Sequence, residues 1–149
     1  MKLVVTTPFE VVVESDEVAH LRAEDATGAF GILPGHADFV TVLSVSVATW
    51  RDRTGAEHHV AVRGGVLDVR TGGRIAIATR EAVPGDDLER LETEVLSRFR
   101  ERLAAEQAAR TDSQRLYLAA IRQISRYLRP DQGPVRVREG MAEEPGGPA

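Results

Sequence analysis

Pro84-Gly85-Asp86-Asp87 is the point at which the chain changes period. Before it, apolar residues alternate with polar ones at every second position; after it they recur every three or four. Asp86 or Asp87 can accept the free N–H groups of a helix start, and Glu89, Glu92 and Glu94 put negative charge on the first turns, where the macrodipole favours it. The acid cluster is therefore explained without catalysis.

Upstream, residues 2–83 read as short strands. Leu3-Val4-Val5-Thr6 is β-branched and stops at Thr7-Pro8, and Val11-Val12-Val13-Glu14 follows. Val18 to Glu24 sets Ala19, Leu21 and Ala23 against His20, Arg22 and Glu24 on the other face. Phe39–Leu43 and Val45–Arg51 come next, then Asp52-Arg53-Thr54-Gly55-Ala56 as a turn into Glu57–Val62. Thr71-Gly72-Gly73 joins Val66–Arg70 with Arg74–Thr79. Gly64-Gly65 reads as an unhindered bend where a strand passes close to another main chain. Regularly spaced strands with glycine-bearing turns predict an antiparallel β-sandwich or flattened barrel.

Downstream, Leu88, Leu91, Val95, Phe99 and Leu103 form one apolar stripe. Ala104, Ala105, Ala108 and Ala109 permit close helix approach, and Arg110-Thr111-Asp112 reads as a pause, with Thr111 and Gln114 as a capping box for a second helix ending at Arg129 before Pro130. The expectation is an α+β chain: a β-sandwich over residues 1–84, a helix-turn-helix hairpin over 85–129, and a disordered tail over 130–149, where four prolines and four glycines leave little to bury. On the second helix Arg115, Arg122, Arg126 and Arg129 fall within about 60°, with Tyr117, Leu118, Ile121, Ile124 and Leu128 away from them. One face is expected to pack. The basic one is either a solvated face or a partner-facing one.

Thr27-Gly28-Ala29-Phe30-Gly31-Ile32-Leu33-Pro34-Gly35-His36-Ala37-Asp38-Phe39 is punctuated like a loop but greasy. Its apolar residues either plug the end of the sandwich or are offered to a partner. A net charge of −4 gives no reason to expect nucleic acid, and the absence of cysteine excludes disulfides and Cys-ligated metals. The N-terminus is broken too early for a signal sequence, and no apolar run approaches a membrane span.

Catalytic chemistry finds no support. His20, His58 and His59 sit on strands with no metal-ligand spacing, and His36 stands alone in the loop. No nucleophile–base constellation or phosphate loop is present, Asp16-Glu17 and Glu24-Asp25 read as solvated acids, and Trp50 reads as packing.

Gly31-Ile32-Leu33-Pro34-Gly35-His36-Ala37, followed by Gly64-Gly65-Val66-Leu67-Asp68-Val69, resembles the epsilon subunit of rotary ATP synthases from about Lys2 through Arg129. Asp38 stands where that family usually carries proline, and with Leu43-Ser44-Val45-Ser46-Val47 it resembles the alternate, often sodium-linked branch. The resemblance implies a non-catalytic rotor subunit without a cofactor, peripheral on the cytoplasmic side of the bacterial inner membrane. It also implies that Ala29, Phe30, Gly31, Ile32 and Leu33 face the c-ring and that Pro34, Gly35, His36 and Asp38 face the gamma subunit. The hairpin would regulate ATP hydrolysis, reaching the alpha and beta subunits through Arg115, Arg122, Arg126 and Arg129. Some relatives bind ATP through Ile/Leu-Asp-x-x-Arg-Ala; here the matching run is Leu88-Glu89-Arg90-Leu91-Glu92-Thr93, with a carboxylate at the arginine position, so no ATP binding is expected. The rival from another class is a free-standing small-molecule sensor or adaptor with the hairpin as its lid.

Overall fold

The computed structural model of the protein describes residues 1–128 and Gly147. Its strands are β1 (Lys2–Thr6), β2 (Val11–Ser15), β3 (Val18–Asp25), β4 (Gly28–Ile32), β5 (Phe39–Asp52), β6 (Glu57–Arg70), β7 (Arg74–Ala78) and β8 (Ala82–Gly85). They pair in the order β2-β1-β7-β6-β5-β3-β4, with β8 added to β6. The pairings are antiparallel except β1 with β7, which is parallel.

The two long strands explain how one sheet becomes two layers. Each was expected as two short strands, yet β5 and β6 pair continuously from Arg51↔Glu57 to Phe39↔Val69. Along the other edge of β6, Val60 and Val62 pair with β8, whereas Val66–Arg70 pair with β7. Between those partners the buried side chains change parity, from Val60 and Val62 to Leu67 and Val69, and on β5 from Ser46, Ala48 and Trp50 to Leu43. The change of face falls at Gly64-Gly65, whose φ angles are 66° and 119°. A Cβ on Gly65 would lie 2.1 Å from the Ala78 carbonyl oxygen. The expected bend beside another main chain is therefore present, and glycine is what allows the approach.

The layers enclose one apolar core in which Leu3, Val5, Leu21, Ile32, Val60, Val62, Leu67, Ile75 and Ile77 are wholly buried. Trp50 joins it, stacked on His58 at 5.3 Å. A second, smaller cluster lies on the outside of one layer, where Leu91, Val95, Leu96 and Phe99 cover Ala61 with Val45, Val47 and Val83. These residues come from α1 (Leu88–Arg90), a π-helical turn (Leu91–Val95) and the start of α2 (Leu96–Leu128). Asp87 caps the run by accepting from the Arg90 N–H, as the acid cluster predicted. Burying four such side chains is worth about 1.5–3 kcal/mol each as an upper bound.

An ionic network reinforces that contact. Arg63, whose side chain is only 12% exposed, lies 3.0 Å from Glu81 and 2.6 Å from Glu106. Arg80 reaches the other Glu106 oxygen at 2.9 Å, and Arg102 pairs with Glu81. The contacting helix residues, Arg102 and Glu106, lie in the first compact unit, Met1–Gln107.

The helical part departs from expectation. No turn occurs at Arg110-Thr111-Asp112, and α2 continues from Leu96 to Leu128. The second compact unit begins at Ala108. Thr and Asp lower helix propensity by less than about 1 kcal/mol each and no Gly or Pro interrupts the run, so a capping box alone does not end the helix. Tyr117, Leu118, Ile121, Ile124 and Leu128, expected to pack, are exposed. Arg129, Pro130 and the tail lie outside the described residues.

Gly65→Ala should destabilise the protein by about 3 kcal/mol or more, since it combines a strained positive φ with a backbone collision. Urea unfolding checks this; a change under about 0.5 kcal/mol, the range of ordinary surface substitutions, would mean that the two strands do not need the close approach.

Candidate partner-facing surface

The greasy stretch is half strand and half loop. Gly28–Ile32 forms the edge strand β4, paired among the described residues only with β3, so Ile32 lies opposite Leu21 and Phe30 opposite Ala23. Strand alternation then sorts the residues. Ile32 is 0% exposed and belongs to the core, Phe30 is half-buried against it, and Ala29 and Gly31 face outward. The expectation that Ile32 is offered to a partner therefore fails, while Leu33, one residue beyond the strand, is 58% exposed.

Leu33-Pro34-Gly35-His36 is a tight turn closed by the His36 N–H donating to the Leu33 carbonyl at 3.1 Å. Pro34 fixes the first central position and Gly35, at φ 84°, supplies the second, the arrangement of a type II turn. Pro34, Gly35, His36 and Asp38 are all exposed. The turn is anchored by an aromatic row in which Phe39 meets Phe30 edge-on at 5.6 Å and His36 at 5.8 Å. Asp38 Oδ1 accepts from the Thr71 N–H at 2.6 Å and from its hydroxyl at 2.7 Å.

Two more aspartate–threonine pairs hold turns. Asp25 Oδ1 accepts from the Thr27 N–H and hydroxyl while Oδ2 accepts from Thr41, and Asp52 Oδ1 accepts from Thr54 in the same way while Oδ2 lies 2.9 Å from His58 Nε2. Hydrogen bonding holds all three carboxyls below the usual carboxylate value, chiefly from the hydroxyls of Thr27 and Thr71 for Asp25 and Asp38, and from His58 for Asp52.

Strand pairing places an apolar surface beside this loop. Val42 lies across from Val66, Val66 from Ala78, Ala78 from Thr6 and Thr6 from Val11, so one row crosses five strands on the outside of the layer. Val40 and Ala76 extend it, with Asp68 between them. Val42 is 70% exposed, and Val40, Val66 and Val11 are also open. This face was not singled out from the sequence, although the alternation Phe39, Thr41, Leu43 against Val40, Val42 carries it.

Residues 1–85 match the family "ATP synthase, Delta/Epsilon chain, beta-sandwich domain". The chain belongs to the ATP synthase epsilon family. It is 44% identical to "ATP synthase epsilon chain 2" of Cereibacter sphaeroides, over 96% of this chain and 97% of that one. It is 41% identical to "ATP synthase epsilon chain 2" of Paraburkholderia xenovorans, over 89% and 96%. Among solved structures it resembles a chain of the Euglena gracilis mitochondrial ATP synthase, OSCP/F1/c-ring in rotational state 1, with a TM-score of 0.53 and 28% identity over 60% of this chain and 57% of that one. Family members of this kind are accessory subunits, and catalysis resides elsewhere in the complex. No described helix is long and apolar enough to cross a membrane.

Glu92 lines a cleft between the helical start and β3, β4 and β5, together with Arg22, Glu24, Thr49 and Arg100. Arg98 is not part of that lining. Two carboxylates, Glu24 and Glu92, therefore share this cleft with two guanidiniums, Arg22 and Arg100.

Two outcomes follow from this geometry. Ile32→Asp should cost about 3 kcal/mol or more because it buries a charge, whereas Leu33→Asp should leave the melting temperature nearly unchanged. Calorimetric melting of both variants decides it, and equal losses would place Leu33 in the core. ATP should give no saturable heat with the protein at millimolar nucleotide in isothermal titration; a saturable isotherm with sub-millimolar affinity would mean that Arg22 and Arg100 outweigh Glu92 and Glu24.

Proposed function

We propose that this chain is the epsilon subunit of the central stalk of a proton- or sodium-translocating ATP synthase, where it joins the gamma subunit to the c-ring. The observation that carries this reading is the exposed apolar row of Val40, Val42 and Val66, with Leu33 also exposed in the β4–β5 loop, on a sandwich whose core is complete without them. Ala29, Gly31 and Leu33 are the outward residues of the c-ring set, with Phe30 and Ile32 supporting them from behind. Pro34, Gly35, His36 and Asp38 extend the valine surface and form with it the side we assign to gamma. Asp38 and the run Leu43-Ser44-Val45-Ser46-Val47 are the residues on which we assign the chain to the alternate branch. The position is peripheral, on the cytoplasmic side of the bacterial inner membrane.

Co-purification tests the reading. Leu33→Asp and Val42→Asp should each sharply reduce recovery with gamma and c-ring while the variants melt like the parent, because truncation at an interface acts on the complex and not on the isolated fold. Full recovery of both would remove this surface from the interface.

Regulation is assigned to α2. Arg115, Arg122 and Arg126 are exposed in one sector, and Tyr117, Ile121, Ile124 and Leu128 share an opposite sector, with Leu118 at its flank. Such a helix fits an apolar, acidic partner surface in the alpha and beta subunits. Replacing Arg122, Arg126 and Arg129 with Glu should raise ATP hydrolysis by the assembled complex, each lost pair contributing about 0–1 kcal/mol and less at high salt. Unchanged hydrolysis with assembly intact would reduce the stripe to a solvated face.

A further inference from the structure

We propose that Asp38 is a positioning residue, whose carboxylate straps the Leu33–Asp38 loop to the β6–β7 turn and so presets Pro34, Gly35 and His36 for the gamma subunit; this rests on the partner reading above. Thr71 stands 33 positions away in sequence, and it gives Asp38 Oδ1 both its N–H and its hydroxyl, at 2.6 and 2.7 Å. The turn that carries Thr71 is itself closed, with the Gly73 N–H donating to the Arg70 carbonyl at 3.2 Å. One carboxylate oxygen thus ties two closed turns together.

The loop needs such a tie. Between the last residue of β4 and the first of β5 its described backbone bond is the internal one from His36 to Leu33, which shapes the turn but does not locate it on the sandwich. Two contacts locate it. Phe39 holds the C-terminal end through its edge-on contacts with Phe30 and His36, and Asp38 fixes the adjacent residue to β6 and β7. Hydrogen bonds from Thr71, aided by the nearby Arg70 charge, hold the Asp38 carboxyl below its ordinary value, so the accepting form persists to lower pH than in an unbonded aspartate.

Asp38 and Thr71 are both exposed, where bonds between side chains compete with water and add little to global stability. Their effect falls on the distribution of loop positions. A loop that occupies its binding position only part of the time loses apparent affinity in proportion to that fraction. The strap therefore acts on association with a partner more than on folding.

The test compares the full-length chain with Asp38→Ala, Asp38→Asn, Thr71→Val and the Asp38→Ala/Thr71→Val double variant, reading affinity for purified gamma subunit, hydrogen exchange over residues 33–38 and melting temperature. Asp38→Ala should weaken binding by about tenfold, as expected for two lost hydrogen bonds, and speed exchange in the loop. Asp38→Asn keeps an acceptor and should restore most of the affinity. Thr71→Val removes one of the two bonds and should lose about threefold, with no added loss in the Asp38→Ala background. Melting temperatures should stay within about 2 °C of the parent. Parental affinity in Asp38→Ala overturns the proposal. So does weak binding by Asp38→Ala when Thr71→Val binds like the parent, which would make Asp38 a direct contact. A fall in melting temperature of about 10 °C would make Asp38 a determinant of the fold and likewise overturn it. Failure of the parent itself to bind gamma overturns the partner reading together with the strap.

Discussion

The close approach of Gly65 to the Ala78 carbonyl is the constraint on which the rest of the structure depends. It lets β6 leave β8 and take up β7 without a break, while β5 follows in register on the other side. The face that looks inward at Val60 and Val62 looks outward at Val66, so one pair of strands serves both layers. The same change of face divides the exterior. Ala61, Val45 and Val47 fall under the helical start, and Val40, Val42 and Val66 are left open. A side chain at Gly65 would disturb core, helix seat and outer surface together.

Much of this was legible because it rests on local chemistry. Period-two runs located most of the strands, Pro84-Gly85-Asp86-Asp87 marked the end of the sheet, and Asp87 capped the helix as an acid there should. The Gly64-Gly65 bend followed from what only glycine can do. The greasy stretch was misread in part because its glycines look like loop punctuation, yet Gly28 and Gly31 lie within β4 and only Gly35 sits in the turn. A single residue of register then decided between Ile32 in the core and Leu33 in solvent, and composition carries no register.

Two of the remaining misses are long-range. Arg63, Glu81 and Glu106 meet because the helical start lies across β6, and no local period links positions so far apart. Asp38 and Thr71 are brought together by the same folding of the sheet. By contrast, Asp25-x-Thr27 and Asp52-x-Thr54 are local turn patterns that a closer reading could have marked. The missing turn in α2 has a simple cause. Thr111 and Asp112 permit a helix start without requiring a helix stop, and alanine- and arginine-rich flanks favour continuing.

The strands shared between layers have a mechanical meaning. In a sandwich of two separate sheets, a twisting load passes from one to the other through interdigitated side chains, which can slide. Here the peptide backbone of β5 and β6 runs from the open valines directly into the layer that seats the helical start. Twisting one layer against the other would have to bend covalent chain and shear a ladder of hydrogen bonds, so torque applied at the outer surface is carried by stiff members, as in a key cut from one piece of metal.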